Sequence, residues 1–317
     1  MGDSPDSIST CSGSPNSVSP SVPIVEYYPD HPLIQQLNNT CSNGTLQEVQ
    51  ELIAQWKSMP QPSSSHGPMH NPMSRLDPVL HTAIKANRVD IVAYLLDQGI
   101  RVTRKAAWEA VKCKCSSALW QVLFDHGLDI NEPLDDALCP PPLAYVLQDE
   151  DLARWFLSHG ADPNAESHHG LSPFLRAIST SPLAPLTTVR MLLDAGASLA
   201  VAVPFACSAP ESEGARRLEI LRFLLDAGAD PDAPKWAHNR HGRGNDFDWG
   251  CGLNIALAGR AGELAEELLG RGARTDVRTC NLLSRGETAL ELAYRYVPRL
   301  GPVVEEGRRV RWGARGE

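Results

Sequence analysis

His238 and His241 stand close to Asp246 and Asp248 in the stretch PKWAHNRHGRGNDFDWG (234–250), which also carries Trp236, Phe247 and Trp249. Imidazoles and carboxylates at that density are the raw material of a hydrolase site. No positioned nucleophile or oxyanion donor accompanies them, so an enzyme with a site in this loop is a remote alternative. His168 and His169 precede Gly170. They have the donor atoms for a metal but lack further ligands at matched spacing, and read as polar loop surface. Cys113-Lys-Cys115 is the one closely spaced pair among eight cysteines, and a zinc site would want paired Cys-x-x-Cys or His groups. There is no Gly-x-x-x-x-Gly-Lys-Ser/Thr loop, no Gly-x-Ser-x-Gly elbow and no His-Glu-x-x-His. Gly242-Arg-Gly244 is too short for a dinucleotide fingerprint, and no strand precedes it. The expectation is therefore no catalytic residue, no cofactor and no metal.

The composition points the same way. The 317 residues carry 29 Lys plus Arg against 38 Asp plus Glu, a formal charge of -9, which suits neither a general phosphate-backbone binder nor a nucleic-acid partner. No stretch approaches the ~18 apolar residues needed to span a bilayer, so no membrane partner is expected. The start MGDSPDSIST lacks a basic region and an apolar run, and Asp6 stands where a myristoylation site wants Ser or Thr. The scattered cysteines read as reduced thiols, which implies the cytoplasm or nucleus. The 25 prolines and 24 glycines are heavy punctuation for one compact core and predict many short elements.

Those elements repeat. Paired aliphatics before a glycine recur in YLLDQGI (94–100), QVLFDHGLD (121–129), WFLSHGAD (155–162), MLLDAGAS (191–198), FLLDAGAD (223–230) and ELLGRGAR (267–274). The glycines are Gly99, Gly127, Gly160, Gly196, Gly228 and Gly272, and their steps of 28, 33, 36, 32 and 44 centre on about 33 residues. Ile91, Val92, Leu95 and Leu96 form one apolar stripe on a helix, and Gly99 ends it by taking positive φ. A shorter helix precedes each of these, as in Asp77-Pro-Val-Leu-His-Thr-Ala83 and Leu171-Ser-Pro-Phe-Leu-Arg-Ala-Ile178, with proline tolerated in the first turn. Helices of this length are marginal alone and must stack on their neighbours.

At these residues the chain resembles the ankyrin-repeat family. Leu80, His81, Ala83, Ile91, Val92, Leu95 and Leu96 match the family pattern ending at Gly99. Leu253, Ala256, Glu263, Leu264, Leu268, Leu269 and Ala273 match it around Gly272. Ala161-Asp-Pro-Asn164 and Ala229-Asp-Pro-Asp232 look like the openings of the family's hairpin fingers. The Pro- and Arg-rich insertions are similar to those of ankyrin proteins of filamentous fungi. The resemblance implies an all-α ankyrin-repeat solenoid of stacked helix-turn-helix units with hairpin or irregular fingers. It covers residues 29–298, as about seven or eight units with irregular loops at 58–74 and 234–250. Residues 1–28, rich in Ser and Pro, are expected to be disordered, and 299–317 to be a basic, solvated tail. In the family the Thr-Pro-Leu-His histidine makes hydrogen bonds between repeats, and that role carries over to His81 alone. Glu109, Leu175, Asn254 and Glu291 stand at its position elsewhere.

The middle of the array departs from the pattern. STSPLAP lengthens the turn after Ile178, ACSAPESEGARR separates a poor first helix from a good second one, and the unit around 142–160 is short. The implied function is a non-catalytic scaffold or adaptor, expected to be monomeric, that binds a protein partner through the concave face of the stack. The alternative is a regulatory subunit controlling a transcription factor or a ubiquitin-ligase assembly. Candidate contacts are Trp108, Glu109, His168, His169, Trp236, Arg240, Arg243 and Trp249. Trp108 also occupies a core Leu position of the family, which gives it a structural role as a second reading.

Overall fold

A computed structural model of the chain describes residues 31–59, 72–135, 139–234, 250–279 and 286–313. The helices are α1 (Pro32–Asn43), α2 (Leu46–Ser58), α3 (Asp77–Lys85), α4 (Val89–Asp97), α5 (Arg104–Lys112), α6 (Ser117–Asp125), α7 (Glu150–Ser158) and α8 (Pro173–Ser179). They continue with α9 (Leu186–Asp194), α10 (Ala202–Cys207), α11 (Ala215–Asp226), α12 (Gly252–Ala258), α13 (Gly262–Gly270), α14 (Ala289–Tyr296) and α15 (Gly301–Gly313). They fall into successive pairs, which we number units 1 to 8. In unit 4 the first helix is reduced to a 3-10 turn at Pro142–Tyr145, which precedes α7. The shortness of that unit in the sequence is the physical cause, since Val146–Asp149 leave no room for a second turn before α7.

First helices pack on first helices along the row from α1 to α14, and second helices form a parallel layer behind them. Alanines make the first layer tight: Ala83, Ala106, Ala107, Ala110, Ala256, Ala289 and Ala293 are fully buried. Local chemistry sets the ends. Thr45 and Glu48 form a reciprocal cap on α2, and Thr288 and Glu291 do the same on α14. Ser172 Oγ accepts from the Leu175 amide at the start of α8. Gly99, Gly127, Gly160, Gly196, Gly228 and Gly272 close the second helices at φ between 79° and 97°. A Cβ at Gly127, Gly160, Gly196 or Gly228 would meet nothing within 4 Å, so the backbone angle is what requires glycine there, not lack of room.

The loops between units carry a repeating polar bridge. Asn131 Nδ2 donates to the Gly160 carbonyl (3.0 Å), and its Oδ1 accepts from the Asp162 amide (2.8 Å). One unit on, Asn164 does the same with the Gly196 carbonyl (2.9 Å) and the Ser198 amide (2.8 Å). Asp232 accepts from the Arg274 amide (2.6 Å) across the next-but-one joint. Between them the equivalent position is Ala200, which has no group to bridge with.

One difference from the sequence reading concerns the C-terminal end. Residues 299–313 are helical, not a solvated tail. After a 3-10 turn at Pro298–Leu300 the chain forms α15, which packs on α14 with Leu300 and Val304 buried. These two apolar residues pair the last first helix with a second helix of its own. The fingers are mostly irregular; the described residues contain two isolated antiparallel bridges, Pro234 to Cys251 and Arg278 to Thr288. The expected disorder at 1–28, most of the 58–74 loop and nearly all of 234–250 lie outside the described residues.

Candidate interaction surface

The exposed edge of the first-helix layer is where side chains of successive units meet in the open. Lys85 on α3 reaches Glu109 on α5 (3.8 Å), and Lys112, one turn further along α5, shares the same carboxylate (3.7 Å). Next to Glu109, Trp108 packs edge-on against Tyr145 of unit 4, with ring centroids 4.9 Å apart. Arg176 on α8 lays its guanidinium over the ring of that tyrosine, 4.5 Å from its centre, and its Nε donates to the Ala144 carbonyl (3.1 Å). A continuous strip therefore runs Lys85, Glu109, Trp108, Tyr145, Arg176 across units 2 to 5. Beside its far end lies a cavity of about 90 Å³ lined by Tyr145, Gln148, Arg176, Thr180 and Pro182.

Of the residues singled out in the sequence, the structure brings Trp108 and Glu109 into this strip. Trp108 is half-buried, packed against the hydrophobic core and edge-on to Tyr145, so its core reading and its surface reading both hold in part. His168 and His169 are exposed at a finger between α7 and α8, closed by the Gly170 amide donating to Ser167 (2.9 Å) and the Ser167 amide to Leu171 (3.0 Å). Trp236, Arg240, Arg243 and Trp249 lie outside the described residues; Pro234 and Cys251 pair at the base of their loop. Tyr145, Arg176 and Lys85 were not picked from the sequence. Tyr145 ends a one-turn segment whose register the repeat could not supply. Arg176 directly follows Leu175, which holds the His81-equivalent position, and that adjacency was the available signal.

His81 differs from its expected role. It is buried, and among the described residues its Nε2 has no hydrogen-bond partner. Burial pulls its pKa down, Lys105 and Lys85 add to that, and Glu109 opposes it, so the imidazole is neutral near pH 7. Asn254, at the same position in unit 7, makes the inter-unit bond instead, its Nδ2 donating to the Val277 carbonyl (3.1 Å).

The thiols have the chemistry of packing groups. Burial pushes Cys41 and Cys207 up to about 12 and Cys115 to about 11, so they stay protonated at neutral pH. Cys113 is exposed while Cys115 is buried with its Sγ against the Ile84 carbonyl (3.2 Å), so the pair does not converge on one site. Among the described residues no group of three or more His, Cys, Asp and Glu could hold a metal, and no helix is long and apolar enough to cross a membrane.

The fold is of the ankyrin-repeat type. It is carried by the helix pairs, the positive-φ glycines at about one unit's spacing and the Asn bridges between fingers. No family model matches the sequence, and no curated protein matches it. Among solved structures, the chain is similar to the ankyrin repeat domain of Bcl-3, described as a unique member of the IkappaB protein family. That match covers 81% of this chain and 92% of the other, at 19% identity and a TM-score of 0.40.

Proposed function

We propose that the protein is a non-catalytic scaffold or adaptor that binds a protein partner on the open face of its first-helix layer. Ankyrin-type stacks generally serve as protein-interaction modules, and the side toward the fingers and first helices is their extended concave surface. One observation carries the assignment of the face: the run Trp108, Tyr145 and Arg176 links three consecutive units at half-exposed positions. Aromatic and arginine side chains are the types that dominate binding energy at interfaces. The loop 235–249, with Trp236, Arg240, Arg243 and Trp249, would extend the surface from the finger between units 6 and 7.

The test is affinity capture from the native cell with identification by mass spectrometry. Wild-type protein is compared with Trp108→Ala/Tyr145→Ala and with a variant whose residues 235–249 are a short Gly-Ser linker. The expected outcome is a protein retained by the wild type and lost or strongly reduced with the double variant, at unchanged helical circular dichroism. An identical captured set would move the partner surface off this face.

A further inference from the structure

The net charge of -9 conceals a basic stretch in the first helices of units 2 to 5, set against acidic second helices at α4 and α6. The second helices α4, α6 and α13 carry only acidic charges: Asp90 and Asp97, Asp125, and Glu263, Glu266 and Glu267. The first helices of units 2 to 5 have the opposite balance. They hold Lys85, Arg104, Lys105, Lys112 and Arg176 against Asp77 and Glu109, and Lys114 follows α5 directly. Pairing does not cancel the excess. Glu109 is shared between Lys85 and Lys112, and Arg104 turns to Glu132 (2.8 Å). Among the described residues no carboxylate lies within ion-pair distance of Lys105, Lys114 or Arg176. Arg176 also lines the small cavity beside Tyr145.

From this arrangement we infer that the first-helix face of units 2 to 5 docks an acidic segment of a partner protein, one carboxylate meeting Arg176 at the Tyr145 cavity. The inference rests on the protein-binding reading above and adds the partner's chemistry. Arg176 is held in place by its bond to the Ala144 carbonyl and by the ring beneath it, so little rotamer freedom remains to be lost on binding. Lys85, Lys105 and Lys112 continue the positive charge along α3 and α5, which suits an extended chain laid across successive units. An acidic protein segment fits better than a nucleic acid. Trp108 and Tyr145 meet edge-on instead of forming a stacked platform for bases, and the acidic charges of α4 and α6 behind them disfavour a broad polyanion.

The test measures fluorescence anisotropy of the full chain with three labelled probes. They are a peptide of Glu and Asp around a central Leu-Tyr pair, the same peptide with Lys for every acid, and a short single-stranded oligonucleotide. The expected result is saturable binding of the acidic peptide alone, weakened by raising salt to about 0.5 M. Arg176→Ala is expected to weaken it about tenfold, as loss of one charge-assisted contact does. The triple variant K85E/K105E/K112E, changed only at exposed side chains, is expected to abolish it. Glu263→Lys, on the second-helix layer, leaves it unchanged. No binding of the acidic peptide, equal binding of the lysine peptide, binding of the oligonucleotide alone, or full binding by the triple variant would each overturn the inference. If captured partners are retained while the acidic peptide fails, the protein-binding reading stands and only the charge assignment falls.

Discussion

The joint between units 4 and 5 and the joint between units 5 and 6 follow one chain plan, yet they are closed differently. At the first, Asn164 ties the Gly196 carbonyl and the Ser198 amide to the preceding finger. At the second, Ala200 occupies the same position and the tie is missing. The units before the gap are also joined through rings. Buried Trp120 meets Phe156 edge-on at 5.2 Å, and Phe124 stacks with Trp155 at 6.1 Å and 12°. Unit 6 instead buries Arg217, whose Nη2 donates to the Cys207 carbonyl (3.2 Å) while its Nε has no partner among the described residues. Burial pulls the Arg217 pKa down, a sign of the cost of placing a guanidinium there. In a stack whose stability is a sum of unit and neighbour terms, one side chain per joint decides where the array is weak. The expected weak place is the joint at Ala200, and hydrogen exchange should show amides of α10 and α11 opening before those of α5 and α6.

Four substitutions break or sharpen that contrast. The largest effect belongs to the ring-packed joint. Trp120→Ala is expected to cost about 3–5 kcal/mol in urea unfolding, and a loss below about 1 kcal/mol would mean the rings do not hold units 3 and 4 together. Asn164→Ala removes two hydrogen bonds and is expected to cost about 1–2 kcal/mol, whereas Ala200→Asn should restore the missing bridge and gain about 0.5–1 kcal/mol. If the two changes have equal and negligible effects on the melting midpoint, the bridge is decoration. Arg217→Met replaces a poorly satisfied buried charge with an apolar chain of similar length and is expected to leave the protein unchanged or about 1 kcal/mol more stable. A clear loss would show that the guanidinium bonds more strongly than its single carbonyl contact implies.

The smallest effect is a pH dependence at the joint between units 2 and 3. His126 Nε2 lies 3.0 Å from Asp97, and its Nδ1 lies 2.7 Å from the Val122 carbonyl. The bond to Asp97 raises the imidazole pKa above its ordinary value. A raised folded-state pKa contributes stability that is complete below the unfolded value of about 6.5 and fades as pH rises through the folded value. Thermal unfolding should therefore show a gain of about 0.2–1 kcal/mol at pH 6 relative to pH 8, the range of exposed ion pairs. Asp97→Asn should flatten that difference, and an unaltered slope would assign it elsewhere.

The stack itself was readable because its signals are local. The spaced glycines need positive φ, and the stripe from Ile91 to Leu96 needs a helix, so both appear in the chain without knowledge of neighbours. The finger openings at Ala161-Asp-Pro-Asn164 and Ala229-Asp-Pro-Asp232 likewise announced the bridging residues. The binding face was only half legible. Trp108 and Glu109 stood out as substitutions in a pattern, but their partners come from other units. Tyr145 lies in a unit cut to a single turn, so no repeat register predicted that it would face Trp108. The basic stretch on the first helices of units 2 to 5 was hidden because a net charge adds it to acidic segments elsewhere in the chain. His81 departs from its expected role because the partner depends on what the neighbouring segment presents: its Nε2 has none among the described residues, whereas Asn254 reaches the Val277 carbonyl.

The Asn bridge also has a bearing on how such a chain can change its length. Asn131 and Asn164 hold equivalent places one unit apart, and each reads only the glycine carbonyl and the amide that follow in the next unit. Excision of residues 132–164 would set Asn131 opposite Gly196 and Ser198 with the bridging geometry unchanged, while Trp120 would lose Phe156 and face α9 instead. Loss or duplication of a whole unit is thus tolerated by the polar seam and resisted by the rings, which makes the aromatic block the part of the array that fixes its order.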